Sequence, residues 1–430
     1  MIDSWKAFDL SQNGLTGFCM VTGESLRIGQ SHPRFVRNPG DSGKLISAND
    51  SDGYTFRGRF TDGKNDYGKQ VCTVGFEVSQ KAHSALRWLI SKQGYRNDDQ
   101  VIVSWAVAGK PVPDPFASTL ELFGASLGVA DAGASNGDTA EAFALRLKSA
   151  IAGYRAKLNP TDDVVVMGLD SATPGRMAIT YYRELKGSEF LERIQTWHSK
   201  CAWPQNFGKA SKFVGAPSPR DIAETAYGRR LDDKLRKATV ERLLPCIVDG
   251  LPMPRDLVQS TTRRATNRVG LEHWEWEKCL GIACALFNAY YAERNYQMAL
   301  EMDRTSRDYL YGRLLAIAEH LESRALYIAG EKRDTTAARL MQRFSGRPSS
   351  TWRTIELSLR PYMTRLRNLR PGMLYALEKL LDDVITAFEG DSFTNDAALS
   401  GEFLLGYHCQ RQALRPADAT GEEASTETND

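Results

Sequence analysis

From residue 188 to residue 414, apolar side chains recur every three or four positions, interrupted only by short Gly-, Pro- or Asp-containing stretches. That is the period of helices that bury one face, and many such segments in a row must cover those faces on one another, as in a helical bundle. The pattern predicts helices over residues 188–201, 219–228, 232–248, 254–268, 272–294, 303–329, 334–345, 350–369, 372–388 and 400–413. In the last, SGEFLLGYHCQRQAL, the residues Phe403, Leu404, Tyr407 and Leu414 form an apolar stripe. Gly406 would let a neighbouring helix come close. His408 and Cys409 are adjacent, about 100° apart around a helix, and make a poor metal pair. Gln410 and Arg411 are expected on the outer face.

The first 187 residues have a different texture. FCMVTGE, GKLISA and YTFRGRF read as short strands, SQKAHSALRWLISKQG as a helix and QVIVSWAV as a strand. Residues 109–137 are rich in Pro, Gly and Ala and read as a loop insertion. DTAEAFALRLKSAIAGYRAKL reads as a helix capped by Asp138 or Thr139, with Leu145, Leu147 and Ile151 among its apolar positions. DDVVVMGLD and RMAITYYREL read as a hairpin, with Pro174–Gly175 suited to a type II turn. The expected fold class is α+β: a mixed α/β N-terminal and middle region, then a mainly α-helical C-terminal bundle. The expected divisions are 1–108 (β-rich with one helix), 109–187 (loop insertion plus α+β), 188–297 (helical), 298–414 (C-terminal bundle) and 415–430 (a disordered acidic tail).

Composition excludes some classes. At 430 residues the chain exceeds one core, and a net charge of +2 gives no global pull toward nucleic acid. Seven cysteines without a CxxC pair fit a reduced, cytoplasmic protein. Neither a signal-peptide pattern nor a run of apolar residues long enough for a membrane span is present.

Catalytic signals are weak. PGDSGKLIS carries Asn38 where a phosphate-binding loop needs its first Gly. His273, Glu275 and Glu277 in EHWEWEK stand two apart on a helix and do not converge on a metal. Asp170 and Ser171 sit at a strand end without an accompanying base, and a hairpin turn accounts for them. No enzyme activity, cofactor or metal is expected.

The basic helices are more informative. Residues 350–370 hold Arg353, Arg360, Arg365, Arg367 and Arg370 against one acid, Glu356. Arg263, Arg264 and Arg268 form a second group, and Arg229 and Arg230 a third. Lys332, Arg333, Arg339 and Arg343 add to these. Arginine suits phosphate because its planar fork meets two oxygens at once. Solvated helix faces with internal ion pairs would show the same pattern.

Six stretches, in collinear order, carry a resemblance: FEVSQKAHSALRWLI, VVVMGLDSATPGRMAITYYREL, GRRLDDKLRKATVERLLPCIVDG, RDYLYGRLLAIAEHLE, LMQRFSGRP and SGEFLLGYHCQRQAL. Together they resemble the large subunit of the type I-C CRISPR surveillance complex, Cascade. The resemblance implies a non-catalytic subunit of an RNA-guided complex that binds target DNA, stabilises the R-loop and helps recruit a helicase–nuclease for antiviral defence. It implies as partners crRNA, target DNA, a backbone subunit, a crRNA-processing subunit and a small subunit. It also implies that the C-terminal helices can be made separately from an internal start, for which Met298 and Met302 are placed. The resemblance implies a further domain ahead of the Cys19–Glu24 region, the expected seat of protospacer-adjacent-motif reading; this sequence begins just before that region, which leaves two alternatives, a truncated or mis-started sequence or a chain that docks on the complex without reading the motif. The alternatives are a Mg²⁺-dependent nuclease or hydrolase built on Asp170, or a purely structural scaffold.

Overall fold

In a computed structural model, the described residues are Ser4, Phe8, 14–29, 31–46, 73–126, 139–173, 175–208 and 211–415. They form an α+β fold whose C-terminal part is helical. The chain divides into two compact units: Met1–Asp114 with Lys157–Ser188, and Pro115–Ala156 with Glu189–Asp430.

The first unit is built on an antiparallel sheet in the order β3-β4-β5-β6, with β3 Tyr95–Asn97, β4 Gln100–Ala106, β5 Asp163–Thr173 and β6 Arg176–Lys186. The VVVMGL run of β5 is central, pairing Val103 with Met167 and Trp105 with Val165 on one side and β6 on the other. A strand paired on both edges and covered by side chains reads as a continuous apolar run. Helix α1, Phe76–Gln93, packs on β4. Leu86 and Ile90 meet Val36, Val101, Val103, Leu169 and Met177 in the core. Gly175 takes φ 83°, as the expected turn requires.

Some sequence expectations need correction here. Of FCMVTGE only Phe18 lies in a strand; residues 19–24 form the turn between β1, Thr16–Phe18, and β2, Ser25–Arg27. Gly23, at φ 76°, returns its N–H to the Cys19 carbonyl at 2.8 Å. GKLISA makes only one described bridge, Lys44 to Arg176. YTFRGRF and the acidic tail 416–430 lie outside the described residues.

The second unit begins with a helix in what reads as loop: α2, Thr119–Ser126. The signal was there, because Ser118 and Glu121 form a reciprocal capping box: the Ser118 N–H donates to Glu121 Oε2 at 2.6 Å, and the Glu121 N–H to Ser118 Oγ at 3.2 Å. In α3, Thr139–Arg155, Leu147 and Ile151 are buried as expected, but Leu145 is 62% exposed. A short hairpin, β7 Trp203–Asn206 with β8 Lys212–Gly215, interrupts the stretch that reads as all helix. The other helices fall close to their expected positions: α4 Gly187–Lys200, α5 Pro219–Tyr227, α6 Asp233–Val248, α7 Arg255–Thr266, α8 His273–Tyr290, α9 Arg307–Ile328, α10 Thr336–Gly346, α11 Pro348–Leu369, α12 Pro371–Thr386 and α13 Glu402–Ala413.

Helix α9 is the axis of this unit, buried over most of its length. It crosses α13 backbone to backbone. A Cβ on Gly406 would stand 2.2 Å from the Tyr309 carbonyl oxygen, and one on Gly312 would clash equally with the Phe403 carbonyl. Only glycine allows that approach. No described helix is long and apolar enough to cross a membrane.

Candidate nucleic-acid interface

Helix α11 turns Trp352, Ile355, Leu359 and Leu366 inward at three-, four- and seven-residue steps. That burial fixes what faces out. Arg353, Arg360 and Arg367 stand seven residues apart, so they fall in one row with about 10.5 Å between successive Cα atoms. All three are exposed. Arg353 and Arg360 make no ion pair among the described residues, and Arg367 reaches Glu378 only at 3.4 Å. Arg365 lies off the row: its Nη1 donates to the Ala325 carbonyl and to Glu331 Oε1, each at 3.1 Å. Arg370 is exposed at the junction with α12. On α10, Arg339 and Arg343, followed by Arg347 just beyond the helix, are exposed at four-residue spacing. Arg347 did not stand out in the sequence, although the spacing was legible there.

The other arginines divide differently. Arg263 and Arg230 are exposed and unpaired among the described residues. Arg264 and Arg229 share Glu275, at 2.9 Å and 3.4 Å, and Arg229 also lies over the Trp274 ring. Arg268 is turned into the fold. It pairs with Glu319 at 2.5 Å, donates to the Tyr407 hydroxyl at 3.0 Å and stacks 4.0 Å from the centroid of Trp276. The Tyr407 hydroxyl in turn donates to Glu319.

Gln410 and Arg411 are corrected in the same way. Gln410 is buried and accepts from Arg313 Nε at 3.0 Å, while Arg411 Nη2 meets Glu277 at 2.5 Å. Burial alone would raise the Glu277 carboxyl, but Arg411 outweighs it and holds that group at about 2. Burial also opposes ionisation of Glu319, and Arg268 overcomes it. Thus Glu275 and Glu277 of EHWEWEK are counter-ions for arginines from distant segments.

Residue range 1–415 matches the profile of a family of CRISPR-associated proteins, Cas_Csd1. The chain belongs to this family. No curated protein matches it.

For a CRISPR-associated protein the division among arginines matters, because a cation already neutralised inside the fold has little left for phosphate. The row on α11 remains available; Arg268 does not. Near Asp170, the buried Arg37 pairs with Asp41 at 2.8 Å and donates to Ser171 Oγ at 2.9 Å, and Ser171 donates to Asp99. A guanidinium thus stands among the acids, and no group of three or more His, Cys, Asp or Glu able to hold a metal occurs among the described residues. Met298 and Met302 lie in the segment before α9, where Met302 Sδ accepts from Arg313 Nη2 at 3.4 Å.

Proposed function

We propose that this CRISPR-associated protein is the large subunit of a type I-C Cascade complex and acts without catalysis. Base pairing between crRNA and target would read the sequence, while this subunit holds strand backbone and stabilises the R-loop. The supporting observation is the row Arg353–Arg360–Arg367, exposed and nearly free of counter-ions on a helix anchored by buried apolar residues. Arg263, Arg230 and Arg370 are exposed cations that would extend the contact. The backbone, crRNA-processing and small subunits, with crRNA, target DNA and the recruited helicase–nuclease, are the partners this reading requires. An internal start at Met298 or Met302 would release the last helices as that small subunit.

The test is target-duplex binding by the assembled complex as a function of salt, with Arg353, Arg360 and Arg367 changed to Ala. Each lost phosphate contact lowers the salt slope by about 0.7–0.9, so the triple variant drops it by about 2–3. An unchanged affinity and slope removes α11 from the interface. Cleavage of nucleic acid by the chain with Mg²⁺, lost in Asp170→Ala, would overturn the non-catalytic reading.

A further inference from the structure

Among the described residues only three that are not glycine have positive φ: Phe35 at 61°, Asp98 at 56° and Asn295 at 49°. Asp and Asn tolerate that region; a bulky aromatic does so only where its surroundings force it. Phe35 is held by bonds on both sides. Its N–H donates to the Asp41 carbonyl at 2.9 Å, and its carbonyl accepts from Arg87 Nε at 3.0 Å. The Arg34 carbonyl accepts from Arg87 Nη2 at 2.8 Å. The next two residues turn inward, Val36 into the sheet core and Arg37 onto Asp41. Glycine would satisfy this backbone at no steric cost. Phenylalanine instead leaves a large apolar residue 47% exposed in the loop.

Among the described residues, the acids near this loop, Asp41, Asp99 and Asp170, gather on Arg37. Asp41, the one acid of loop residues 31–44, is consumed by Arg37. Arg34 is exposed, and neither it nor Lys44 nor Arg87 has a carboxylate partner among the described residues. Among the described residues Lys44 Nζ donates to Ser31 Oγ, at 2.9 Å. Burial first, and then the nearby Arg34, lower the Lys44 pKa; burial and His83, with a smaller part from Lys44, lower His32.

We propose that the 31–44 loop is a docking point for single-stranded nucleic acid, with the Phe35 ring stacking on an unpaired base and Arg34 and Lys44 holding phosphates beside it. Flat π surface beside bare cations is the chemistry that single-strand sites use, whereas an acidic peptide offers the charge without the base. The inference rests on the nucleic-acid reading above but assigns it to different residues in the other compact unit.

The experiment titrates the full chain with a short single-stranded oligonucleotide containing 2-aminopurine, and with an abasic strand of equal length. Phe35→Gly keeps the positive φ, so the loop still folds. It should weaken the base-bearing strand by about 5- to 150-fold, abolish 2-aminopurine quenching, and leave abasic binding and the salt slope unchanged. Phe35→Trp should restore both affinity and quenching. Arg34→Ala with Lys44→Ala should lower the salt slope by about 1.4 for two single-strand phosphates. Equal binding of base-bearing and abasic strands by the wild type, or unaltered quenching in Phe35→Gly, overturns the proposal. If the strand is weakened only by changes to the α11 arginines, or if the wild type binds no strand, this inference fails, and the nucleic-acid reading is decided by the assembled-complex titration above.

Discussion

Arg411 Nη2 donates to Glu277 Oε1 at 2.5 Å, and this pair joins the last described helix, α13, to α8. Both side chains are largely removed from water, so each charge is tolerable only because the other is present. Glu277→Ala should therefore destabilise the fold by about 3–5 kcal/mol, because it strands a buried guanidinium. Replacing both residues with Met should recover part of that loss. Denaturant unfolding of the two variants measures the difference.

Acid should weaken the fold in two stages. His198 and His408 are buried, and burial lowers both to about 3; burial, with help from His83 and Lys44, lowers His32 to about 4. Their folded values lie below the unfolded one, so the unfolded chain takes up protons first, and stability present above pH 6.5 is lost as pH falls. Between pH 7 and pH 5 each should remove about 2 kcal/mol. Glu277, also depressed, adds a second loss from about pH 5 toward pH 2. His408→Gln keeps an acceptor for Trp203 Nε1, which donates to His408 Nδ1 at 3.1 Å. It should reduce the first loss by about 2 kcal/mol in unfolding measured across that range.

Gly406→Ala should be costly although it adds one methyl group. The new Cβ would meet the Tyr309 carbonyl at 2.2 Å, and neither backbone can yield without separating α9 from α13. A loss of about 3 kcal/mol or more is expected in thermal or denaturant unfolding. A loss below about 1 kcal/mol would mean that the helices do not cross this closely.

Arginines of the same type should give opposite results according to where they point. Arg353→Ala and Arg360→Ala should leave stability within about 0.5 kcal/mol, as exposed side chains without partners. Arg268→Ala should cost about 3–5 kcal/mol by stranding Glu319. Parallel unfolding curves separate the two classes before any binding assay is run.

Helix positions were legible in the sequence because a buried face repeats every 3.6 residues regardless of what covers it. The seven-residue row of arginines on α11 follows from the same local geometry. The α2 helix was equally local, written in Ser118 and Glu121, but hidden by its Gly- and Pro-rich surroundings. What periodicity could not assign was the direction of individual charges. Arg268 and Arg353 look alike in sequence, yet one meets Glu319, Tyr407 and Trp276 while the other meets solvent. Those partners lie 51, 139 and eight positions away, on three separate helices. An ion pair depends on distance in space, so tertiary packing alone decided which arginines were neutralised. The same holds for SGEFLLGYHCQRQAL: its stripe and Gly406 were readable from helical spacing, but the inward turn of Gln410 and Arg411 required α8 and α9 to supply their partners.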